Sequence, residues 1–341
     1  MTRKALTEQW IVMKTPGEAD LSKALVTGGA GFIGSHLVEA LVRRGEAVVV
    51  VDNLSSGRTE NLSTASKSGS LELIRMDLKN PSNLREILSG VSVVYHFAAN
   101  PEVRLGQAEP SVHFHENLLV TFNLLEAMRK SGGTKTVVFT STSTVYGEAR
   151  QLPTCEDYGP LLPISTYGAT KLGCESLISS YAYTHGLKAL ILRLGNCVGA
   201  RSGHGVIPDF IKKLKENPTE LEILGDGSQT KSYVHISDCV SAVFMTFDAF
   251  MRSPLRVDVY NVSSVDQVSV QRIGEIVAEE LRLVGVRMRF TGGVDGGRGW
   301  FGDVKQMHLS VEKLRRLGWA PKLSSEGAVR AATKELIANE T

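Results

Sequence analysis

Tyr167 and Lys171 stand four residues apart in Tyr167-Gly-Ala-Thr-Lys171. On a helix that spacing puts a phenol and an ammonium on one face. A free tyrosine titrates near ~10, too high for a useful base at neutral pH. A neighbouring cation favours the phenolate and is expected to lower that value. The same ammonium would also reach a ribose hydroxyl. Upstream, Val137-Val-Phe-Thr-Ser-Thr142 reads as a strand ending in hydroxyls, so Thr142 is placed to hydrogen-bond a substrate hydroxyl. A Tyr–Lys pair alone is common on helix surfaces. It acquires meaning from the elements that position it.

The first of those elements is Ala24-Leu-Val-Thr-Gly-Gly-Ala-Gly-Phe-Ile-Gly34. A short apolar run is followed by Gly28, Gly31 and Gly34, and then by Ile33, Leu37, Val38 and Leu41 at helical spacing. Counted from Gly29, the stretch also fits G-x-G-x-x-G. Strand, glycine turn and helix in that order are what a dinucleotide fingerprint requires. Glycine lets the backbone approach a pyrophosphate, and the N–H groups at the helix start face its oxygens. A second strand, Ala47 to Val51, runs into Asp52. A carboxylate there accepts from both adenosine ribose hydroxyls and repels a 2′-phosphate. NAD is therefore expected in preference to NADP.

Across 341 residues, 42% are hydrophobic and 22% charged, and 38 basic against 36 acidic residues leave a net charge of +2. That balance points to neither nucleic acid nor an anionic membrane. Cys155, Cys174, Cys197 and Cys239 show no CxxC spacing, so free thiols and a cytoplasmic location are expected. No apolar run reaches spanning length. His113-x-His115 lacks accompanying Cys or acidic ligands and reads as a surface pair, with no metal site expected. Residues 1–21 form an N-terminal extension. Residues 22–196 alternate strand-like and helical runs, the pattern of a doubly wound parallel α/β sheet. The strand runs are Ala24–Thr27, Ala47–Asp52, Leu71–Arg75, Val91–Phe97, Thr136–Ser141 and Ala189–Leu194, with 53–70 read as a loop. Residues 197–341 form a smaller α+β lobe, with a segment from about 232–265 returning to the sheet. Ser165–Tyr183 is expected to be helical, as is Val311–Leu317.

Taken together, these stretches resemble the extended short-chain dehydrogenases, in the nucleotide-sugar epimerase branch close to UDP-glucose 4-epimerase. The likeness runs from Lys23 to Leu336. It rests on Thr27-Gly-Gly-Ala-Gly-Phe-Ile-Gly34, Asp52-Asn-Leu-Ser-Ser-Gly57, Asp77-Leu78, His96-Phe-Ala-Ala99 and Asn117. It continues through Thr142-x-Thr-Val-Tyr-Gly147, Tyr167-x-x-x-Lys171, Arg193-x-x-Asn196, Gly225-Asp-Gly227, Tyr233-Val-His235 and Gly302-Asp303.

The resemblance implies a role for each position. Gly28, Gly31, Phe32, Ile33 and Gly34 would lie along the pyrophosphate. Asp52, Asn53, Leu54, Ser56 and Gly57 would hold the adenosine side, and Asp77 and Leu78 the adenine. Phe97, Ala98, Ala99 and Asn117 would line the cofactor cleft. Tyr167 would be the base, Lys171 its activator and Thr142 the hydroxyl-orienting partner. Asn196, Val206, Lys231, Arg298 and Asp303 would take the nucleotide-sugar. Lys231 stands where the family often has Arg, which keeps the charge but loses the bidentate fork. The stretch Arg298-Gly-Trp-Phe-Gly-Asp303 also has more residues between Arg and Gly-Asp than the usual pattern. A dehydratase or decarboxylase of this family would carry an acid within 142–144, where this chain has Thr142-Ser143-Thr144. Plain 4-epimerisation is therefore expected, with UDP-glucose and UDP-galactose as the leading pair. UDP-glucuronate or UDP-N-acetylglucosamine, or a net nucleotide-sugar oxidoreductase, are the alternatives. In the family the helices at 116–130 and 165–184 pair across a dimer axis, which implies a homodimer.

Overall fold

The computed structural model describes residues 23–339. The N-terminal extension at 1–21 lies outside them. The apolar runs become β1 (Lys23–Thr27), β2 (Ala47–Asp52), β3 (Leu71–Arg75), β4 (Val91–His96), β5 (Thr136–Thr142) and β6 (Lys188–Leu194). β2, Ala-Val-Val-Val-Val-Asp, is buried from Val48 to Asp52, as expected of a parallel strand covered on both faces. After β6 come β7 (Asn196–Val198), β8 (Glu220–Ile223), β9 (Thr230–Lys231), β10 (Tyr233–His235) and β11 (Val257–Val262). β12 (Val268–Ser269), β13 (Arg287–Phe290) and β14 (Gln306–Met307) complete the set.

Seven strands form one parallel sheet in the order β11-β6-β5-β4-β1-β2-β3. The strand order reverses between β1 and β4. That switch point opens a crevice at the carboxyl ends, where open α/β sheets bind ligands. β11 lies beside β6 in register from Val257↔Ala189 to Val262↔Leu194, although some sixty residues separate the two strands. The helix Ile236–Arg252 accompanies it and buries Cys239, Val243 and Phe250 against Leu37, Val38 and Leu41 of the helix Phe32–Arg43. Val311, Leu314 and Trp319 join the same core. The opposite face of the sheet is covered by the helices Val120–Ser131 and Thr166–His185, through Leu124, Leu125, Met128, Cys174, Ile178 and Ala182. A separate core in the smaller lobe joins Ile207, Phe210 and Leu214 to Ile273 and Ile276, and to Val329 and Ala332 of the C-terminal helix Ser325–Asn339.

Several local readings shift. Residues 53–70 are not all loop: a 3-10 turn, Thr59–Leu62, and a short helix, Ser63–Ser66, form there because Leu62 and Ala65 pack into the core. The helix expected over Ser165–Tyr183 runs Thr166–His185, capped by the Ser165 hydroxyl and stopped by Gly186 at φ 72°. Only Glu312–Arg315 is helical in the stretch read as Val311–Leu317. A π-helical turn, Phe114–Leu119, precedes Val120. The reading of His113-x-His115 as a surface pair is wrong for His113, which is fully buried, and right for His115. Among the described residues no His, Cys, Asp or Glu cluster could hold a metal. No described helix is long and apolar enough to cross a membrane.

Candidate active site

β1 delivers the chain to the crevice and Gly28 turns it, at φ +67°. A Cβ on Gly28 would stand 2.7 Å from the Ala98 nitrogen, and one on Gly34 would stand 2.2 Å from the Gly28 carbonyl oxygen. Only hydrogens fit in those two places. Gly31 is the N-cap of the helix Phe32–Arg43 and brings no side-chain hydrogen bond and no acidic first turn. The first N–H groups of that helix, at Phe32, Ile33 and Gly34, therefore lack an intrahelical acceptor and suit an anion. These residues fit a dinucleotide pyrophosphate.

At the end of β2, Asp52 accepts from the backbone N–H of Ala30 (3.0 Å) and of Leu54 (2.8 Å), one on each oxygen. Burial pushes its pKa up, and the two N–H groups work against that. Each oxygen keeps a lone pair for a ribose hydroxyl. Leu54 takes a left-handed φ of 60° and Asn53 accepts from Ser55 N, which folds the loop back over the glycine turn. Gly57 lies so close that a Cβ would meet Ala30 and Asp52 at 3.0 Å, while Ser56 is exposed. Past β3, Asp77 accepts from its own turn at Lys79 N (2.9 Å), and Leu78 is buried.

The far wall is Phe97-Ala98-Ala99, following β4. A hydrogen-bonded relay fixes it. The Thr27 hydroxyl donates to His96 Nδ1 (2.7 Å) and accepts from the N–H groups of Phe97 and Ala98 (3.2 Å each). His96 Nε2–H donates to Thr121 Oγ1 (2.9 Å), and that hydroxyl donates to the Asn117 carbonyl (2.7 Å). This assignment gives every hydroxyl both a donor and an acceptor partner. Burial pushes the His96 pKa down to about 3, and the Lys171 charge adds to the effect. Asn117 is buried and accepts from Asn100 N at 2.7 Å, so its carboxamide supports the cleft wall through Asn100.

Thr142 ends β5 and Tyr167 occupies the first turn of the helix Thr166–His185, so both sit at the carboxyl edge of the sheet. The Thr142 hydroxyl faces the phenol, and it also contacts Thr144 Oγ1 at 3.1 Å. Burial pushes Tyr167 up to about 12, and the hydrogen bond from Thr142 opposes this. Lys171 is buried one turn on, with its ammonium 4.2 Å from the centre of the Phe139 ring. Burial pushes Lys171 down to about 8, with Cys174 and Glu175 pulling it back. The lowered phenol expected from the Tyr–Lys spacing is not found, because desolvation is the largest influence on Tyr167.

Across the crevice, Asn196 opens β7 and Val206 begins the helix Val206–Glu216. Lys231 pairs with the buried Asp303 at 2.6 Å. Arg298 is held by Glu148 (2.8 Å), Asp295 (3.1 Å) and the Asp303 carbonyl (3.3 Å). Lys231, Arg298 and Asp303 therefore share one cluster, and Trp300 lies within it, with Arg104 and Lys231 at 5.8 and 5.7 Å from its ring. Glu148, Arg104, His113 and the His96 relay were not assigned roles from sequence. Their partners on other elements lie 25 to 196 residues away, beyond the reach of any local spacing.

The family model described as NAD dependent epimerase/dehydratase family matches residues 24–263. A putative UDP-glucose 4-epimerase from Methanocaldococcus jannaschii is 32% identical over 310 residues, covering 90% of this chain and 95% of that one. A crystal structure of a UDP-galactose 4-epimerase is 45% identical, with a TM-score of 0.82 over 93% of this chain and 99% of the other. A Thermus thermophilus UDP-glucose 4-epimerase, solved in complex with NAD, is 32% identical with a TM-score of 0.78 over 92% and 98% of the two chains. A glycine cradle, a carboxylate at the end of β2 and a half-buried Tyr167 one turn before the buried Lys171 thus coincide with sequence likeness along almost the whole length, and the chain belongs to the NAD-dependent epimerase/dehydratase family.

Proposed function

We propose that this chain is an NAD-dependent nucleotide-sugar 4-epimerase that interconverts UDP-glucose and UDP-galactose. The observation that carries the reading is the Tyr167 phenol facing the Thr142 hydroxyl above the buried Lys171, at a strand end without an acid at 142–144.

The pyrophosphate of the cofactor would rest on Gly28, Gly31, Phe32, Ile33 and Gly34. Its adenosine would rest on Asp52, Asn53, Leu54, Ser56, Gly57, Asp77 and Leu78, and Phe97, Ala98, Ala99 and Asn117 would form the opposite wall. When bound, NAD supplies a hydride acceptor, a hydride donor on the return step, and a positively charged ring. Thr142 orients the sugar 4-hydroxyl toward Tyr167. Tyr167 would take that proton as its phenolate, and Lys171 would stabilise the phenolate and reach the neighbouring ribose. The 4-keto sugar stays tethered by its diphosphate, held by Asn196, Lys231, Arg298 and Asp303 with Val206 beside the nucleotide. The sugar would turn over within the site, and Tyr167 would return the proton to its oxygen. Without an acid at 142–144, no group on that strand end is placed for elimination or decarboxylation.

We assign residues 22–196, with the returning segment 232–265, to the cofactor half, and the remainder to the nucleotide-sugar lobe. Exposed Phe122 and Tyr183, on the helices Val120–Ser131 and Thr166–His185, support a homodimer through those helices. Free thiols at all four cysteines suit the cytoplasm.

The test is to incubate purified protein with a panel of UDP- and dTDP-sugars without added NAD and identify C4 epimers. Conversion of UDP-glucose and UDP-galactose is expected, and Tyr167→Phe should abolish it while leaving NAD bound. Conversion of UDP-glucuronate alone would reassign the substrate. A protein empty of nicotinamide and inert toward every sugar would refute the reading.

A further inference from the structure

We infer that His113 is a positioning residue for Tyr167, a role that rests on the epimerase reading above. His113 ends the short helix Pro110–His113, just before the π-helical turn Phe114–Leu119. Its side chain is 0% exposed. The imidazole meets the Tyr167 ring edge-on, with centroids 5.6 Å apart and planes at 70°. Tyr167 is only half-buried, so the face against His113 is its closed side and the remainder faces the cleft.

His113 is itself wedged in place. A Cβ on Gly106 would stand 3.0 Å from His113 Cδ2, 3.2 Å from its Nε2 and 3.2 Å from the Thr166 Cβ. The Thr166 hydroxyl donates to the Gly106 carbonyl at 3.3 Å. The segment around Gly106, the imidazole and the first turn of the catalytic helix therefore interlock. On its other edge His113 Nδ1 lies 3.4 Å from the Asn117 amide nitrogen, and Asn117 holds Asn100 in the cofactor-cleft wall. One side chain thus links the phenol ring to the wall that the nicotinamide half of the cofactor would face.

Among the described residues His113 Nε2 meets no partner in close hydrogen-bond geometry, and the backbone of Glu102 and Val103 lies against the ring. The ring is kept neutral by burial, so it places no charge beside the phenol. Its contribution is shape. An aromatic edge fixes the two side-chain torsions of Tyr167 and aims its oxygen at Thr142, where small displacements at a reacting atom are expensive in rate.

The experiment measures kcat, KM, bound NAD and thermal midpoint for His113→Leu, His113→Phe and His113→Asn in the full chain with UDP-galactose. His113→Leu should lower kcat by about 30-fold or more, with KM within about two-fold and NAD content unchanged. His113→Phe keeps a ring edge and should recover most of kcat. His113→Asn keeps a partner for Asn117 without the ring and should stay slow. A fully active His113→Leu, or rescue by Asn rather than Phe, overturns the proposal. So does a loss spread equally over kcat, KM and NAD content. Should His113→Leu fail to fold, Gly106→Ala carries the test. It presses on His113 from behind, should lower kcat alone, and overturns the idea if kcat is untouched. A wild-type chain that epimerises nothing refutes the catalytic reading, whereas an active wild type with an active His113→Leu refutes only the positioning role.

Discussion

Replacing Glu175 with glutamine removes one charge from the interior beneath Tyr167 and Lys171, the proposed catalytic pair. Arg193 and Glu175 have side chains only 6% and 7% exposed and share hydrogen bonds of 2.7, 3.0 and 3.2 Å. Ser141 also donates to Glu175, while Arg193 reaches Tyr146 (3.0 Å) and the Glu156 carbonyl (3.1 Å). The pair therefore ties β5, β6 and the helix Thr166–His185 together. Stranding a buried arginine costs about 3–5 kcal/mol. An unfolding entropy of ~2.1 cal/mol/K per residue over this length is ~0.7 kcal/mol/K, so the thermal midpoint should fall by about 4–7 °C. Glu175→Met combined with Arg193→Met removes both charges and should recover most of the loss. There is a catalytic corollary, because Glu175 is one of the charges that hold the Lys171 pKa up. Without it, and with Arg193 unmasked, Lys171 loses its proton below the value of about 8 that it has in the intact chain. The high-pH limb of kcat should move to lower pH. Circular-dichroism melts and a pH–rate profile check both outcomes. A midpoint within about 1 °C of wild type, or a double variant as unstable as the sum of the singles, refutes the reasoning.

His96 gives a pH prediction. Its folded pKa, about 3, lies below the ordinary 6.5, so its contribution is whole above pH 6.5 and is lost as pH falls toward 3. Stability should fall by about 1.4 kcal/mol per pH unit below 6.5, and denaturant titrations of His96→Asn between pH 6.5 and 5 should show a flatter slope. Gly34→Ala would put a methyl 2.2 Å from the Gly28 oxygen. It should cut co-purifying NAD at least about ten-fold, whereas Gly133→Ala, with open space around it, should not. Arg201, at φ 69°, bonds Ser35 Oγ (3.1 Å) and pairs with Glu39, clamping the cofactor helix to the segment that leads into the substrate lobe. Arg201→Met should raise KM for the UDP-sugar about ten-fold at unchanged NAD content, and adding Glu39→Gln should cost nothing further.

Local pattern carried the cofactor half of the fold far into legibility. Strand β2 is an unbroken β-branched run, and the glycine turn needs hydrogens at Gly28 and Gly34 for reasons of contact that spacing alone already implied. β5 and β6 differ from their sequence readings only by a terminal residue, because hydrophobic periodicity is set within a few neighbours. What escaped notice depends on distant partners. The burial of His113 is decided by Gly106 and by Thr166 and Tyr167 fifty residues on, while an x-H-x-H string carries no period that would say so. Glu148 meets Arg298 across 150 residues, so neither side chain signals the other in sequence. The phenol makes the same point in energetic terms. Spacing on one helix face foretells a neighbouring ammonium, yet the sign of the Tyr167 shift is set by how much water the tertiary fold removes, and here that desolvation wins. Chemistry that lives in one turn can be read from one turn. Chemistry tuned by burial can be read only once the walls are in place, and for this phenol one of those walls is an imidazole that sequence spacing assigned to the surface.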